Sequence, residues 1–310
     1  MWRKALVALA LIATSATAQV SESISVGYVM IPFTAVGEKG LPITDLRASE
    51  VKLLVDGRTV RSDMFEKSEN APVSFTILID ASGSMALAGK MDAARAAIGA
   101  LIAHRRPGDD FSLWMFAESE ARELVPFTSN VAQISNALSW VKPYGKTAFF
   151  DALAQMPDAS RLGSNPSRAI ILLSDGIDNA SKLTRAEIAH LLEGESVPIY
   201  PLGIREPEEQ KGGKREELSD IDVLGEVATL TGGRLQFGSR PEQIAVAVAN
   251  IEKDLRAQYL VGFAPTGSGE VQYRQISLRV ARKVRAVRVR AGYRGTAPPV
   301  ANNRNERKGS

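Results

Sequence analysis

The chain has 310 residues, 45% apolar and 24% charged, with a formal net charge of +3, two histidines and no cysteine. That length and apolar content allow one large or two modest domains and exclude whole-chain disorder. Without cysteine there is no disulfide, iron–sulfur cluster, thiolate zinc site or cysteine nucleophile, and His104 and His190 are too few for a histidine-rich centre, so any metal chemistry falls to oxygen ligands.

Residues 1–18 read as an export signal: a basic start at Arg3-Lys4, an apolar run over 5–13, and a small-residue cleavage site at Ala16-Thr17-Ala18. The run is shorter than the ~20 residues a bilayer span needs, and no later stretch is apolar for long enough to anchor the chain. The expected mature protein begins at Gln19 and is exported and soluble, either periplasmic or secreted. It carries 36 basic and 35 acidic residues. Eleven basic residues and one acid, Glu306, lie from Arg274 onward. This basic end reads as a solvated strand face plus a tail, with contact to the acidic body or to an anionic partner as the alternatives.

Residues 19–70 alternate as short strands do, at 25–31 and 51–55, the second meeting the hairpin signal Asp56-Gly57. From 73 the pattern changes. Apolar runs at 73–79, 111–117, 169–173 and 197–203 read as buried strands, separated by helical periodicity such as Met91, Ala94, Ile98, Leu101. Thr184-Arg185-Ala186-Glu187 is a capping box opening a helix through 192, and Gly232-Gly233 are placed to end a helix over 219–231. A helix over 241–256 closes the unit. This alternation predicts an α/β, doubly wound and mostly parallel sheet with helices on both faces over 71–256.

Strand alternation returns at 258–263, 271–282 and 284–291, with Ile276, Leu278, Val280, Val287 and Val289 facing a core and the arginines facing water. Each flanking β segment is small for independent stability. The segments 19–70 and 257–295 are therefore expected to pair into one β-sandwich-like domain interrupted by the α/β unit, with two separate β caps as the alternative. A disordered tail is expected over 296–310.

The strand at 73–79 runs into Asp80-Ala81-Ser82-Gly83-Ser84, a carboxylate and two hydroxyls at the edge where open α/β sheets bind ligands. A second strand ends in Ser174-Asp175-Gly176, and the turn Tyr144-Gly145-Lys146-Thr147 offers a further hydroxyl ahead of a helix over 148–155. Two carboxylates and three hydroxyls converging there make an oxygen-only set suited to Mg²⁺ or Mn²⁺. With only two acids nearby, the cation stays electrophilic enough to attract an oxygen from outside.

Asp80-x-Ser82-x-Ser84, Thr147 in Gly-Lys-Thr-Ala-Phe-Phe-Asp-Ala-Leu, and Asp175 in Leu-Leu-Ser-Asp-Gly resemble the metal-ion-dependent adhesion site of von Willebrand factor type A domains. The resemblance implies that Ser82, Ser84 and Thr147 ligate the metal directly, that Asp80 and Asp175 support it, often through water, and that a protein partner's Asp or Glu carboxylate completes the shell. Gly40-Leu41-Pro42-Ile43-Thr44-Asp45-Leu46 and Gln258-Tyr259-Leu260-Val261-Gly262-Phe263 resemble an exported bacterial subgroup with β flanks.

The expected function is an exported, non-catalytic binding protein that uses this site in protein–protein adhesion. The alternatives are an assembly subunit of an envelope complex with a stabilising metal and, further off, a metal-assisted hydrolase. Asp151 reads as a first-turn helix acid and Asp178-Asn179 as loop residues or as supports behind the ligands. A phosphoaspartyl mechanism at Asp80 wants an acid where Ser82 stands, and neither histidine is an evident base for Ser82 or Ser84. The charged stretch 206–220 reads as a loop on the metal edge, either simply solvated or a rim that selects a partner. The arginines of 279–290 lack interleaved aromatics, which argues against nucleic-acid binding.

Overall fold

The structure is a computed structural model describing residues 28–69, 71–119, 121–205, 215–265 and 270–298. The expected export signal, part of the charged stretch after residue 205 and most of the expected tail lie outside the described residues.

The described chain opens with β1 (Val29–Val36), β2 (Val51–Val55), β3 (Arg58–Val60) and β4 (Met64–Lys67). The Asp56-Gly57 signal does form the β2–β3 turn. Both residues take positive φ, 49° and 74°, the twist that a two-residue hairpin needs.

The α/β unit follows in chain order. It comprises β5 (Val73–Asp80), α1 (Lys90–Ala103), β6 (Asp110–Phe116), β7 (Arg122–Thr128), α2 (Val131–Trp140), α3 (Phe149–Arg161) and β8 (Ser167–Ser174). It continues through α4 (Arg185–Leu192), β9 (Ile199–Gly203), α5 (Arg215–Thr231), β10 (Gln236–Phe237) and α6 (Pro241–Arg256). The strands lie in the order β10-β9-β8-β5-β6-β7, parallel except for β7 at one edge. Every residue of the central strand β5 is buried. Its odd-numbered side chains, Phe75, Ile77 and Ile79, pack with α1, α2 and α6, while Leu78 packs with α3, α4 and α5. Two-sided burial is why this strand reads as an unbroken apolar run.

The chain then returns to strands β11 (Tyr259–Phe263), β12 (Gln272–Val280), β13 (Ala286–Val289) and β14 (Gly292–Gly295). These interleave with the first four as two antiparallel sheets, β13-β1-β11-β4 and β14-β12-β2-β3, around a shared core of Ile31, Phe33, Leu53, Val261, Phe263, Ile276 and Leu278. No helix among the described residues is long and apolar enough to cross a membrane.

One expectation is corrected. The arginines of the C-terminal strands do not simply face water. Arg288 reaches the buried Asp254 of α6 at 2.6 Å, and Arg290 is only 4% exposed. The basic end thus contacts the acidic body. Asp254 keeps a raised pKa because its burial outweighs Arg288 and Arg234 beside it. Helix α5 also begins four residues earlier than its periodicity predicts, at Arg215.

A second buried ion pair fixes both connections of the α/β unit. Arg256, the last residue of α6, makes a two-pronged contact with Asp109 and donates to the backbone oxygen of Ala71 at 3.1 Å. Asp109 also accepts from the backbone N–H groups of Val73 and Arg106. The way into the unit and the way out of it are therefore held by one carboxylate.

Gly232 and Gly233 do more than stop α5. Gly232 takes a positive φ of 80° and lets the β13 backbone approach, while a Cβ on Gly233 would stand 1.9 Å from the Ile199 oxygen. Because that neighbour is strand backbone, it cannot swing aside. Gly233→Ala is expected to destabilise the protein by about 2–3 kcal/mol, read as a lower urea midpoint at an unchanged m value.

Candidate functional site

The edge formed by the C-terminal ends of β5 and β8 gathers three loops. Asp80 ends β5 and is fully buried. One carboxylate oxygen accepts the Ser82 N–H at 2.8 Å and the other accepts the Ser174 hydroxyl at 2.6 Å. These bonds fold the chain back over the strand end, so that the Ser82 and Ser84 hydroxyl oxygens lie 3.1 Å apart.

The loop carrying Thr147 is tied to this one by Gly83 N–H to the Gly145 oxygen at 3.0 Å and Tyr144 N–H to the Ala81 oxygen at 2.8 Å. Gly145 sits at φ 66°, a turn conformation that glycine accepts without strain. The loop after β8 closes the ring. Asn179 accepts the Thr147 N–H at 2.8 Å, and the Thr147 oxygen accepts the N–H groups of Asn179 and Ala180. Thr147 and Asp175 are each 2% exposed. The three loops carrying Asp80, Ser82, Ser84, Thr147 and Asp175 are thus cross-linked pairwise by hydrogen bonds.

The neighbouring acids have separate duties. Asp151 accepts the N–H groups of Lys182 and Leu183, and Asp178 accepts that of Phe149 at 2.8 Å, at the start of α3. Asp151 does stand in the first turn of its helix, and both carboxylates also hold loop to helix. His104 bonds the Ala100 oxygen, and His190 meets Arg294 and Glu193.

Three residues escaped the sequence reading. Ser174 anchors Asp80, Lys90 places its ammonium 2.9 Å from the Asp175 carboxylate, and Arg205 donates to the Asp175 backbone oxygen. Ser174 lies beside Asp175 in sequence and Lys90 opens the helix after the serine loop. A polar residue at a strand end and a cation one short turn beyond a ligand motif are the signals that were there to be used.

Burial pushes the Asp80 carboxyl up to about 6, against the hydrogen bonds from Ser174 and Ser82 and with a smaller push from Asp175. The folded state therefore holds a proton there more tightly than the unfolded chain does. The associated stability is full below the ordinary aspartate value and is lost as pH rises toward about 6. In EDTA, the stability of the native protein relative to Asp80→Asn is expected to fall by roughly 2–3 kcal/mol between pH 4 and 6.5, measured by urea unfolding.

Chemically, the edge offers two carboxylates and three hydroxyls, an oxygen set that suits a hard divalent cation. Among the described residues no group of three or more His, Cys, Asp or Glu is placed to hold a metal. Any ion here would rest on the hydroxyls.

Comparison with solved structures finds similarity to the conserved hypothetical protein BatB from Bacteroides thetaiotaomicron. That match is 20% identical, with a TM-score of 0.46, over 58% of this chain and 99% of that one. A von Willebrand factor type A protein from Catenulispora acidiphila is 16% identical, with a TM-score of 0.47, over 88% and 74%. The PilB minor pilin from Streptococcus sanguinis is 15% identical, with a TM-score of 0.45, over 60% and 62%. No curated protein matches. The family model of the von Willebrand factor type A domain does match, from residue 75 to residue 177. That stretch contains all five oxygen-bearing residues, and it belongs to the von Willebrand factor type A domain family.

Proposed function

We propose that this is an exported, non-catalytic binding protein whose Asp80, Ser82, Ser84, Thr147 and Asp175 hold Mg²⁺ or Mn²⁺ for the recognition of a protein partner. Ser82, Ser84 and Thr147 would hold the ion directly, with Asp80 and Asp175 supporting it. Once bound, the ion supplies a Lewis-acidic anchor for a carboxylate oxygen of the partner's Asp or Glu.

The observation that carries this reading is the pairwise cross-linking of the three loops. It fixes the backbone that carries the hydroxyls before any ion arrives, which lowers the ordering penalty of binding. The non-catalytic part rests on the histidines, whose hydrogen bonds lie away from Ser82 and Ser84.

Lys90 gives the reading a specific consequence. Its ammonium already neutralises Asp175, so an incoming dication meets a resident cation. Lys90→Met is expected to tighten magnesium binding by about tenfold, measured by titration calorimetry.

The direct test is capture from the native envelope fraction with this protein as bait, in magnesium and in EDTA. A partner retained in magnesium and released by EDTA supports the reading. Equal capture in both, with a metal effect confined to melting temperature, would favour the assembly-subunit alternative.

A further inference from the structure

A cleft of about 1350 Å³ lies at the other end of the α/β unit, where the loops leading into β8 and β9 meet the β-sandwich. Arg168 near the start of β8 lines it, whereas Asp175 follows the far end of that strand, roughly 20–25 Å away at ~3.3 Å per residue. The cleft is thus separate from the candidate metal edge.

Four arginines line it, of which Arg161 is paired with Glu195; the other three are Arg168 of β8, Arg290 just after β13, and Arg294 of β14. None of these three has a carboxylate within ion-pair distance among the described residues. Arg290 is 4% exposed and donates only to the backbone oxygens of Gly194 at 2.9 Å and Met30 at 3.0 Å, leaving its Nε without a partner. Arg168 donates to the Gly163 oxygen at 3.1 Å, and its Nε is also unpartnered. Arg294 donates to His190 Nε2 at 2.9 Å.

No acid of the cleft pairs directly with these three arginines, although Glu195 acts on Arg290 at longer range. Glu195 pairs with Arg161 at 2.7 Å, Glu193 lies 3.4 Å from His190, and Glu66 is an exposed residue of β4. A guanidinium this buried is normally matched by an anion, because unpaired burial of charge is costly. Burial holds the Arg290 pKa down to about 10, although the charge of Glu195 pushes the other way.

The remaining walls narrow the ligand class. Met30, Pro32, Pro72, Leu191 and Tyr293 contribute apolar surface. The volume exceeds the 300–1,000 Å³ usual for small-molecule sites, and the arginines are spread over separate elements, which favours an extended ligand with several acids. Strand β4, which also lines the cleft, ends its sheet and ladders only with β11. Its outer backbone edge is therefore open to a further strand.

We propose that this cleft is a second binding site, taking an extended segment of a partner protein in which acidic and apolar residues alternate. Arg168, Arg290 and Arg294 pair with its carboxylates, and the β4 edge pairs with its backbone. The proposal does not depend on the metal reading.

The test uses the full-length Asp80→Asn protein in EDTA, which silences the candidate metal edge. The probe is a fluorescein-labelled octapeptide alternating Glu and Leu, followed by anisotropy, with a Gln–Leu octapeptide as the neutral control. Expected are saturable binding of the acidic peptide, binding of the neutral one at least tenfold weaker, and loss of affinity as salt rises. Arg168→Gln with Arg294→Gln should weaken the acidic peptide at least tenfold, and Arg168→Lys with Arg294→Lys should restore part of it. The exposed single variant Arg294→Gln keeps the test valid if the pair fails to fold.

Equal binding of both peptides, or binding indifferent to the arginine variants, would overturn the proposal. So would binding that appears only once residues 19–27 are removed, since the occupant would then be the chain's own N-terminal segment.

Discussion

Asp80→Ala is expected to abolish the stabilisation that magnesium gives the native protein. At one hundred times the dissociation constant, an ion bound only by the folded state adds about 2.7 kcal/mol, a rise in Tm of roughly 4–5 °C for a chain of this size. Asp80 carries that effect because it does two jobs at once. It is the anionic support of the proposed ion, and its oxygens bind Ser82 N–H and the Ser174 hydroxyl, which join the first loop to the third. Removing it takes away charge and preorganisation together. Ser84→Ala separates the two, since Ser84 is half-buried and its hydroxyl meets only that of Ser82. That variant should keep the metal-free Tm within about 1–2 °C and still lose most of the magnesium response. A full magnesium shift in both variants would remove the proposed ion from this edge.

The largest loss of stability is expected from Asp109→Ala, at about 3–5 kcal/mol. The substitution leaves the buried Arg256 guanidinium with only the longer 3.7 Å contact to Glu252 and deprives the Val73 and Arg106 N–H groups of an acceptor. Arg256→Leu should be nearly as damaging for the mirror-image reason. In the double variant the two losses should not add, because a buried pair removed whole leaves no stranded charge. Urea unfolding of the four proteins in the cycle measures this. Additive losses would show that the two side chains act independently and that the contact has no special weight.

The α/β unit was readable because its physics is local in sequence. Buried parallel strands such as β5 appear as unbroken apolar runs, and the Thr184–Glu187 capping box and the Gly232-Gly233 stop are written in adjacent residues. The meeting of the three loops was readable for the same reason, since each sits at a strand end or in a glycine turn. Strands β4, β7 and β14 were missed. They are short or lie at sheet edges, with half their side chains in water, and β7 carries both a proline and a register irregularity. Arg205, Asp109 and Arg290 were beyond reach in another way. Their roles come from partners far along the chain, and a lysine or arginine has the same letter whether it faces solvent or a buried acid.

The β-sandwich has a consequence for how the chain is made. Strand β1 lies between β11 and β13, which start at Tyr259 and Ala286, and β2 finds its inner neighbour only in β12. Until Tyr259 and the residues after it have emerged, the leading strands have no long-range mates, and their unpaired edges invite aggregation. The inserted unit shortens that search once folded, because Asp109 clamps its two ends together and turns a long connecting loop into a short one. The architecture favours assembly from the inside outward, and a product cut short before Tyr259 would keep a finished middle with an orphaned leading flank.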